Sequence, residues 1–182
     1  MAGYADVIAG QGSLDISRNA ERAEDRRLTN VVPRSLLVIL RLHLGAILLI
    51  TDAGKLFRDQ PFSVEMVDFI NAMLKRPGWV WYQQFLRADV LPHATLFSYL
   101  VMIGELVAGI CLLTGTFTRV AAAIAMLLFL NYMFAKGRWF LSPDSEDAAV
   151  LFSALVVMLG AAGRRFGVDA FLARRWPSAL VW

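Results

Sequence analysis

One apolar run with charges inside it constrains this chain more than any other feature. Ser35 to Phe57 reads SLLVILRLHLGAILLITDAGKLF and carries Arg41, His43, Asp52 and Lys55 among Leu, Ile, Ala and Val. About 20 such residues match the thickness of a bilayer core. At roughly 3.6 residues per turn, Arg41, Gly45, Leu48, Asp52 and Lys55 fall on one face, through steps of four and three. The opposite face, with Leu37, Leu40, Leu44, Ile47 and Leu49, is expected to meet lipid. A charge at mid-membrane costs several kcal/mol unless it faces a bundle interior and finds a partner there. A helix of this kind therefore needs neighbours, and the rest of the chain must supply them.

Composition agrees. Of 182 residues, 58% are hydrophobic and 18% charged, whereas average globular chains hold about 45–50% apolar and about 25% charged residues. The excess is arranged in blocks, which points to an integral membrane protein of one domain. The net charge of +3 is small. The basic residues sit at block ends, as topology signals do, so no nucleic-acid partner is expected. The single cysteine, Cys111, lies within an apolar run. It can form neither an internal disulfide nor a cluster site. No classical secretory signal opens the chain, so the first hydrophobic helix is expected to act as an uncleaved insertion signal.

Residues 1–34 are polar and mixed in charge, and read as a solvated tail or short surface helix. After Phe57, residues 62–75 place Phe62, Met66, Phe69, Ile70 and Met73 opposite Glu65, Asp68, Asn71 and Lys75, the pattern of an amphipathic helix. Pro77-Gly78 breaks it. Trp79, Trp81, Tyr82 and Phe85 then cluster, as aromatic residues do at a membrane–water boundary. Residues 62–91 are thus expected to form an interfacial cap of two helices. A second span is expected at 94–115, with Glu105 near its middle and Ser98, Ala108 and Gly109 on or beside the Glu105 face, where small residues permit close helix contact. The third span is expected at 118–135, interrupted by Asn131. The fourth, 147–163, has a length at the lower limit for crossing. The end, through Arg164, Arg165, Arg174, Arg175 and Trp176, suits a headgroup layer. The expected fold is all-α, a four-helix transmembrane bundle with interfacial amphipathic helices between the first two spans. Arginine is denser in the terminal segments and the Arg119 loop, which places both termini in the cytoplasm of a bacterial or archaeal inner membrane protein.

These residues resemble the DoxX/DoxD family. The first span has an Arg, a Gly and a Gly-Lys-Leu (Arg41, Gly45, Gly54, Lys55). The second has a Glu, then a Gly followed by Thr-Arg (Glu105, Gly115, Arg119). The end has Gly-Arg…Asp (Gly163, Arg164, Asp169). The resemblance spans residues 35–176 and leaves out the N-terminal tail and the C-terminal end, 177–182. It implies a four-helix membrane bundle. In the DoxD branch it implies the small membrane subunit of a thiosulfate:quinone oxidoreductase.

His43 is expected roughly 12 Å inside the cytoplasmic end and His93 at the external end of the second span, so they cannot ligate one haem within the chain. Metal ligands are too few for a centre, and no catalytic residue is assigned. What remains is the buried set Arg41, Glu105, Asp52, Lys55 and Asn131. Counting about 1.5 Å per residue from the helix ends brings Arg41 and Glu105 to similar depth, so an ion pair is expected between them, with Asp52, Asn131 and Lys55 in a second layer. This set reads either as a structural network or as a site for a quinone headgroup, the one cofactor implied. Two functions follow: a subunit of a quinone-linked redox system, whose catalytic centre would lie with a protein partner, or a non-catalytic accessory or assembly subunit of a larger membrane complex.

Overall fold

The structure, a computed structural model, describes residues 34–57, 59–142, 145–160, 162–164 and 166–175. Among these the secondary structure is helical, without strands. The chain divides between Leu36 and Leu37 into two compact units. The first, which holds the expected tail, lies almost wholly outside the described residues, as does the C-terminal end.

Helix α1 runs Arg34–Leu56, α2 Phe62–Met73, α3 Val80–Phe85, α4 Ala94–Thr114, α5 Thr118–Ala135, α6 Glu146–Leu159 and α7 Val168–Arg175. Among the described residues, three helical stretches are long and apolar enough to cross a membrane: Ser35–Lys55, Val80–Thr114 and Thr118–Ala135. The middle one corrects a sequence expectation. The aromatic segment and the second span form one continuous stretch of 35 residues. Helix α3 passes into a π-helical segment, Leu86–Val90, then a 3-10 turn, Leu91–His93, and then α4. Pro92 explains the irregularity. It has no N–H to give, and its ring crowds the carbonyl four residues earlier, so the turns beside it repack instead of ending.

The fourth apolar block also differs from expectation. Helix α6 has 14 residues, about 21 Å of rise, where 17 helical residues were expected. A 3-10 turn at Ala162–Arg164 follows it. Asp147, Ala148, Leu151, Ala154 and Val157 are its buried stripe, and α6 packs along α5. The start of α6 is tied to the end of α5 by Lys136 Nζ, which donates to both carboxylate oxygens of Asp147, at 2.9 and 2.7 Å. At the other end, Gly163 lies against Thr118, where any Cβ would overlap the threonine hydroxyl. The chain from Asp147 to Gly163 thus returns along the whole of α5.

On α1 the polar face is buried as the periodicity predicts: Arg41 and Asp52 are each 2% exposed and Leu48 is fully packed. The expected lipid face is displaced. Leu44 is buried in the core, and Leu37 and Leu40 pack against it. Ile39, Leu42 and Ile50 are exposed instead, together with His43. The buried sector is wide because α1 touches two surfaces. Gly45 approaches α4, where an added Cβ would stand 3.0 Å from the Gly109 carbonyl, and Gly160 adjoins Leu37.

Two cores result. One joins Leu44 and Leu48 to Ala108, Leu112, Ala121, Ala122, Ala125, Ala154 and Val157. Alanine dominates it because close helix approach in an apolar setting depends on small side chains. The other joins Met66 and Ile70 of α2 to Tyr82, Leu86 and Val90. Phe134 closes this second core, with Trp81 and Tyr82 ring centroids at 5.3 and 5.6 Å.

Candidate functional site

Two separate polar systems use the residues that the sequence singles out. The first is a latch at the α4–α5 turn. Gly115 ends α4 with a left-handed φ of 69°, and the Thr116 N–H returns to the Cys111 carbonyl at 2.9 Å. Helix α5 then begins at Phe117, which has no side-chain oxygen to cap it. Asp169 supplies one from 52 residues away. Its carboxylate accepts from the Phe117 and Thr118 N–H groups at 2.7 and 2.8 Å, and its own N–H donates to the Gly115 carbonyl at 2.8 Å. A negative group at a helix N-terminus meets both the free N–H groups and the helix dipole.

Arg41 belongs to this latch. Its Nη1 donates to the Ala162 carbonyl at 3.3 Å and its Nη2 to the Phe166 carbonyl at 2.6 Å. The guanidinium lies against Gly115, so that a Cβ there would overlap it. The expected Arg41–Glu105 ion pair does not form. The depth count took the start of α1 and the end of α4 to lie at the same level. The Gly45–Gly109 contact sets the true register: Arg41 is level with Gly115, and Glu105 lies ten residues before it on α4, about 15 Å away.

The second system holds Glu105. This carboxylate is 1% exposed and receives two donors, Lys55 Nζ on one oxygen and Tyr132 Oη on the other. Lys55 also lies over the Phe62 ring, 4.6 Å from its centroid. Asp52, one turn before Lys55, is itself buried, and Oδ1 of Asp52 has no hydrogen-bond partner among the described residues. Of the expected site residues, Glu105, Asp52 and Lys55 are therefore together, and Arg41 is not among them.

Asn131 stands beside this system, in a cavity. Its Oδ1 accepts from Tyr82 Oη at 2.8 Å, and its Nδ2 donates to the Leu127 carbonyl at 2.7 Å. The cavity holds about 400 Å³ and is walled by α2, the α3–α4 stretch and α5. Its lining is apolar apart from Tyr82, Asn131 and Tyr132, and includes Gly104, Ile124 and Leu128. Leu100 and Leu127, both more than half exposed, form part of the lining, so the cavity reaches the apolar surface between α4 and α5. A second pocket, of about 600 Å³, lies on the other side of Tyr132, with Lys55, Glu65, Asp68, Glu105 and Lys136 in its wall. Tyr132 lines both spaces.

A family description named DoxX matches residues 36–137 of the chain. That is α1 through α5, more than half of the sequence. The chain belongs to the DoxX family. No solved structure matches it. The DoxX match contains the whole Glu105 system and the cavity. It ends before α6 and before Asp169, so the latch is completed by residues beyond it. Tyr132 went unremarked in the sequence, and Tyr82 was read only as part of an interfacial aromatic cluster, although a tyrosine in an apolar helix signals a hydroxyl that must find a partner. Asp169 stood out there only through the family resemblance.

Proposed function

We propose that this DoxX chain is a four-helix transmembrane bundle that binds a membrane quinone and serves a quinone-linked redox system together with a partner subunit. The observation that carries this reading is the apolar cavity of about 400 Å³, whose wall includes Asn131 and Tyr132, with Tyr132 bonded to Glu105. A binding site for an apolar molecule with a polar head has this character: mostly hydrophobic lining, few polar groups, and those held in place by their own partners. The Asn131 amide is oriented by Tyr82 and Leu127, and the Tyr132 hydroxyl by Glu105. The exposed Leu100 and Leu127 offer the tail of such a molecule a way to the lipid. Tyr132 and Asn131 would hold the head, with Lys55 and Glu105 behind them. A bound quinone supplies two-electron, two-proton chemistry, and the electron partner would be another subunit. Arg41 has no part in this site.

The bundle reading rests on the return of the chain along α5, from Lys136–Asp147 at one end to Gly163–Thr118 at the other. The irregular helix and α2 would form the cap at one membrane face. The arginine-rich terminal segments would lie in the cytoplasm of a bacterial or archaeal inner membrane.

A short-chain benzoquinone titrated into the protein in lipid nanodiscs, followed by quenching of tryptophan fluorescence, tests the site. Saturable binding in the native chain, lost in the cavity-filling variant Ile124→Trp and kept in Arg41→Lys, is the expected result. Equal binding to native and filled chains would remove the cavity from consideration. The alternative reading, an accessory subunit, draws on the apolar surface at Trp139, Phe140 and Leu141, the last 85% exposed. Recovery of the chain in stoichiometric complex with a larger assembly, without quinone binding, would favour it.

A further inference from the structure

Among the described residues, the Glu105 system is one positive charge short. On α1 it contains Asp52 and Lys55, on α4 Glu105, and on α5 the neutral Tyr132. Lys55 is engaged by Glu105. Lys136 of α5, which shares a pocket wall with Glu105, is occupied by Asp147 of α6, so those two cancel. Arg41 is held at the far end, by the carbonyls of residues 162 and 166. Glu65 and Asp68 of α2, which face the same outer pocket, are acidic and compensate nothing. Ionised throughout, the inner set Asp52, Lys55 and Glu105 would hold a net negative charge at sites 1–2% exposed for both acids. A charge so placed, with no partner, is avoided by neutralisation. Asp52 has the open position for it: Oδ1 is buried without a hydrogen-bond partner, while both oxygens of Glu105 are taken.

We propose that Asp52 and Glu105 share one buried proton, resident on Asp52 at rest, and that this pair is the proton-exchanging station of the site. When the proton passes to Glu105, Asp52 gains the negative charge that Glu105 loses, and the set stays neutral beside the Lys55 ammonium. Lys55 and Glu105 border the outer pocket, which also carries Glu65, Asp68 and Lys136, whereas Tyr132 borders both that pocket and the apolar cavity. The station therefore stands between a pocket with charged groups in its wall and the place where a quinone would lie. Its link to the cavity rests on the quinone reading above, and the resting proton itself does not.

Infrared spectroscopy of the full-length chain in nanodiscs tests it, with aspartate carboxyls labelled with carbon-13. The expected result at neutral pH is the carbonyl band of one protonated carboxylic acid per chain. The band moves with the aspartate label in the unsubstituted protein, is lost in Asp52→Asn, and shifts when the short-chain benzoquinone is added. The label makes the assignment even if the variant does not fold. Absence of the band, or a band indifferent to the aspartate label, overturns the proton assignment and leaves quinone binding to stand on its own titration. Loss of the band on adding sodium at constant pH overturns it in favour of a cation site. A labelled band unmoved by a quinone that binds saturably overturns the link to the cavity. Failure of the quinone to bind at all refutes the function reading separately, through the fluorescence titration.

Discussion

Asp169 is the residue whose loss the fold should feel most sharply. It is wholly buried, and its carboxylate answers two backbone N–H groups that no residue of α5 could satisfy. Hydrogen bonds to a charged acceptor contribute about 1.5–3 kcal/mol each. Asp169→Ala is expected to destabilise the chain by roughly that amount for each of the two bonds, read as a fall in the thermal unfolding midpoint in detergent. Asp169→Asn should lose about half as much, because the amide keeps one acceptor and turns a donor toward the other N–H. Equal stability of all three proteins would show that the latch is redundant. At Gly163 even a methyl is excluded, since a Cβ would overlap both Thr118 Oγ1 and the Asp169 carboxylate. Gly163→Ala should therefore resemble Asp169→Ala in the same measurement. The sequence marks Asp169 only as one acid in a basic tail, because nothing local reveals that a turn 52 residues earlier lacks its own cap. Arg41 shows the complementary difficulty. Its face on α1 is read correctly from spacing alone, while its partners are main-chain carbonyls, which no residue type advertises.

Among the elements, the stretch from Val80 to Thr114 departs furthest from the sequence reading, and for a plain reason. Apolar content and length identify spans, and Pro92 looks like a boundary between two of them. The irregular turns absorb the proline and keep the direction of the chain helical. At 35 residues the stretch would rise about 50 Å if it were regular, well beyond a bilayer core of about 30 Å. Its first part is therefore expected to reach the headgroup level. Trp81 is 56% exposed and packs on Phe134 at the end of α5. In a variant with Trp81 as its only tryptophan, lipids brominated near the headgroup should quench the fluorescence more than lipids brominated deep in the chain. The reverse order would place the aromatic cluster inside the hydrocarbon. Helices α5 and α4, by contrast, were legible nearly to the residue, since Gly115-Thr116 offers a turn with a left-handed position between two uninterrupted apolar runs.

For the molecule as a whole, the return of the chain along α5 has a topological consequence. If α6 crosses the membrane beside α5, as proposed above, Asp59 and Arg175 would lie on opposite sides of it. Single cysteines placed in a Cys111→Ala background at Asp59 and at Arg175 should then react with a membrane-impermeant maleimide from opposite sides. Asp59 should react in intact cells and Arg175 only after lysis. Labelling of both from one side would mean that α6 lies within one leaflet. The helical class, the membrane habit and the inward face of α1 were all legible in the sequence, because each depends on local periodicity. The relative register of α1 and α4 was not, because it is set by Gly45 meeting Gly109, a contact between two residues without side chains. The grouping of site residues inherited that error.

The Arg41 contacts also impose an order on biogenesis. The helix that inserts first carries a guanidinium whose acceptors are made 121 and 125 residues later. At translation rates of about 5–20 residues per second, the charge waits roughly 6–25 s for them. During that interval α1 is an unfinished client, held by water, lipid headgroups or the insertion machinery. A nascent chain that stops at Gly137 would contain the entire DoxX match and still leave Arg41 and the start of α5 unanswered. Pulse-chase labelling should find such a chain inserted and then degraded within minutes, while the chain extended to Arg175 persists. The last forty residues would thus act as a checkpoint, withholding survival from any copy whose synthesis did not finish.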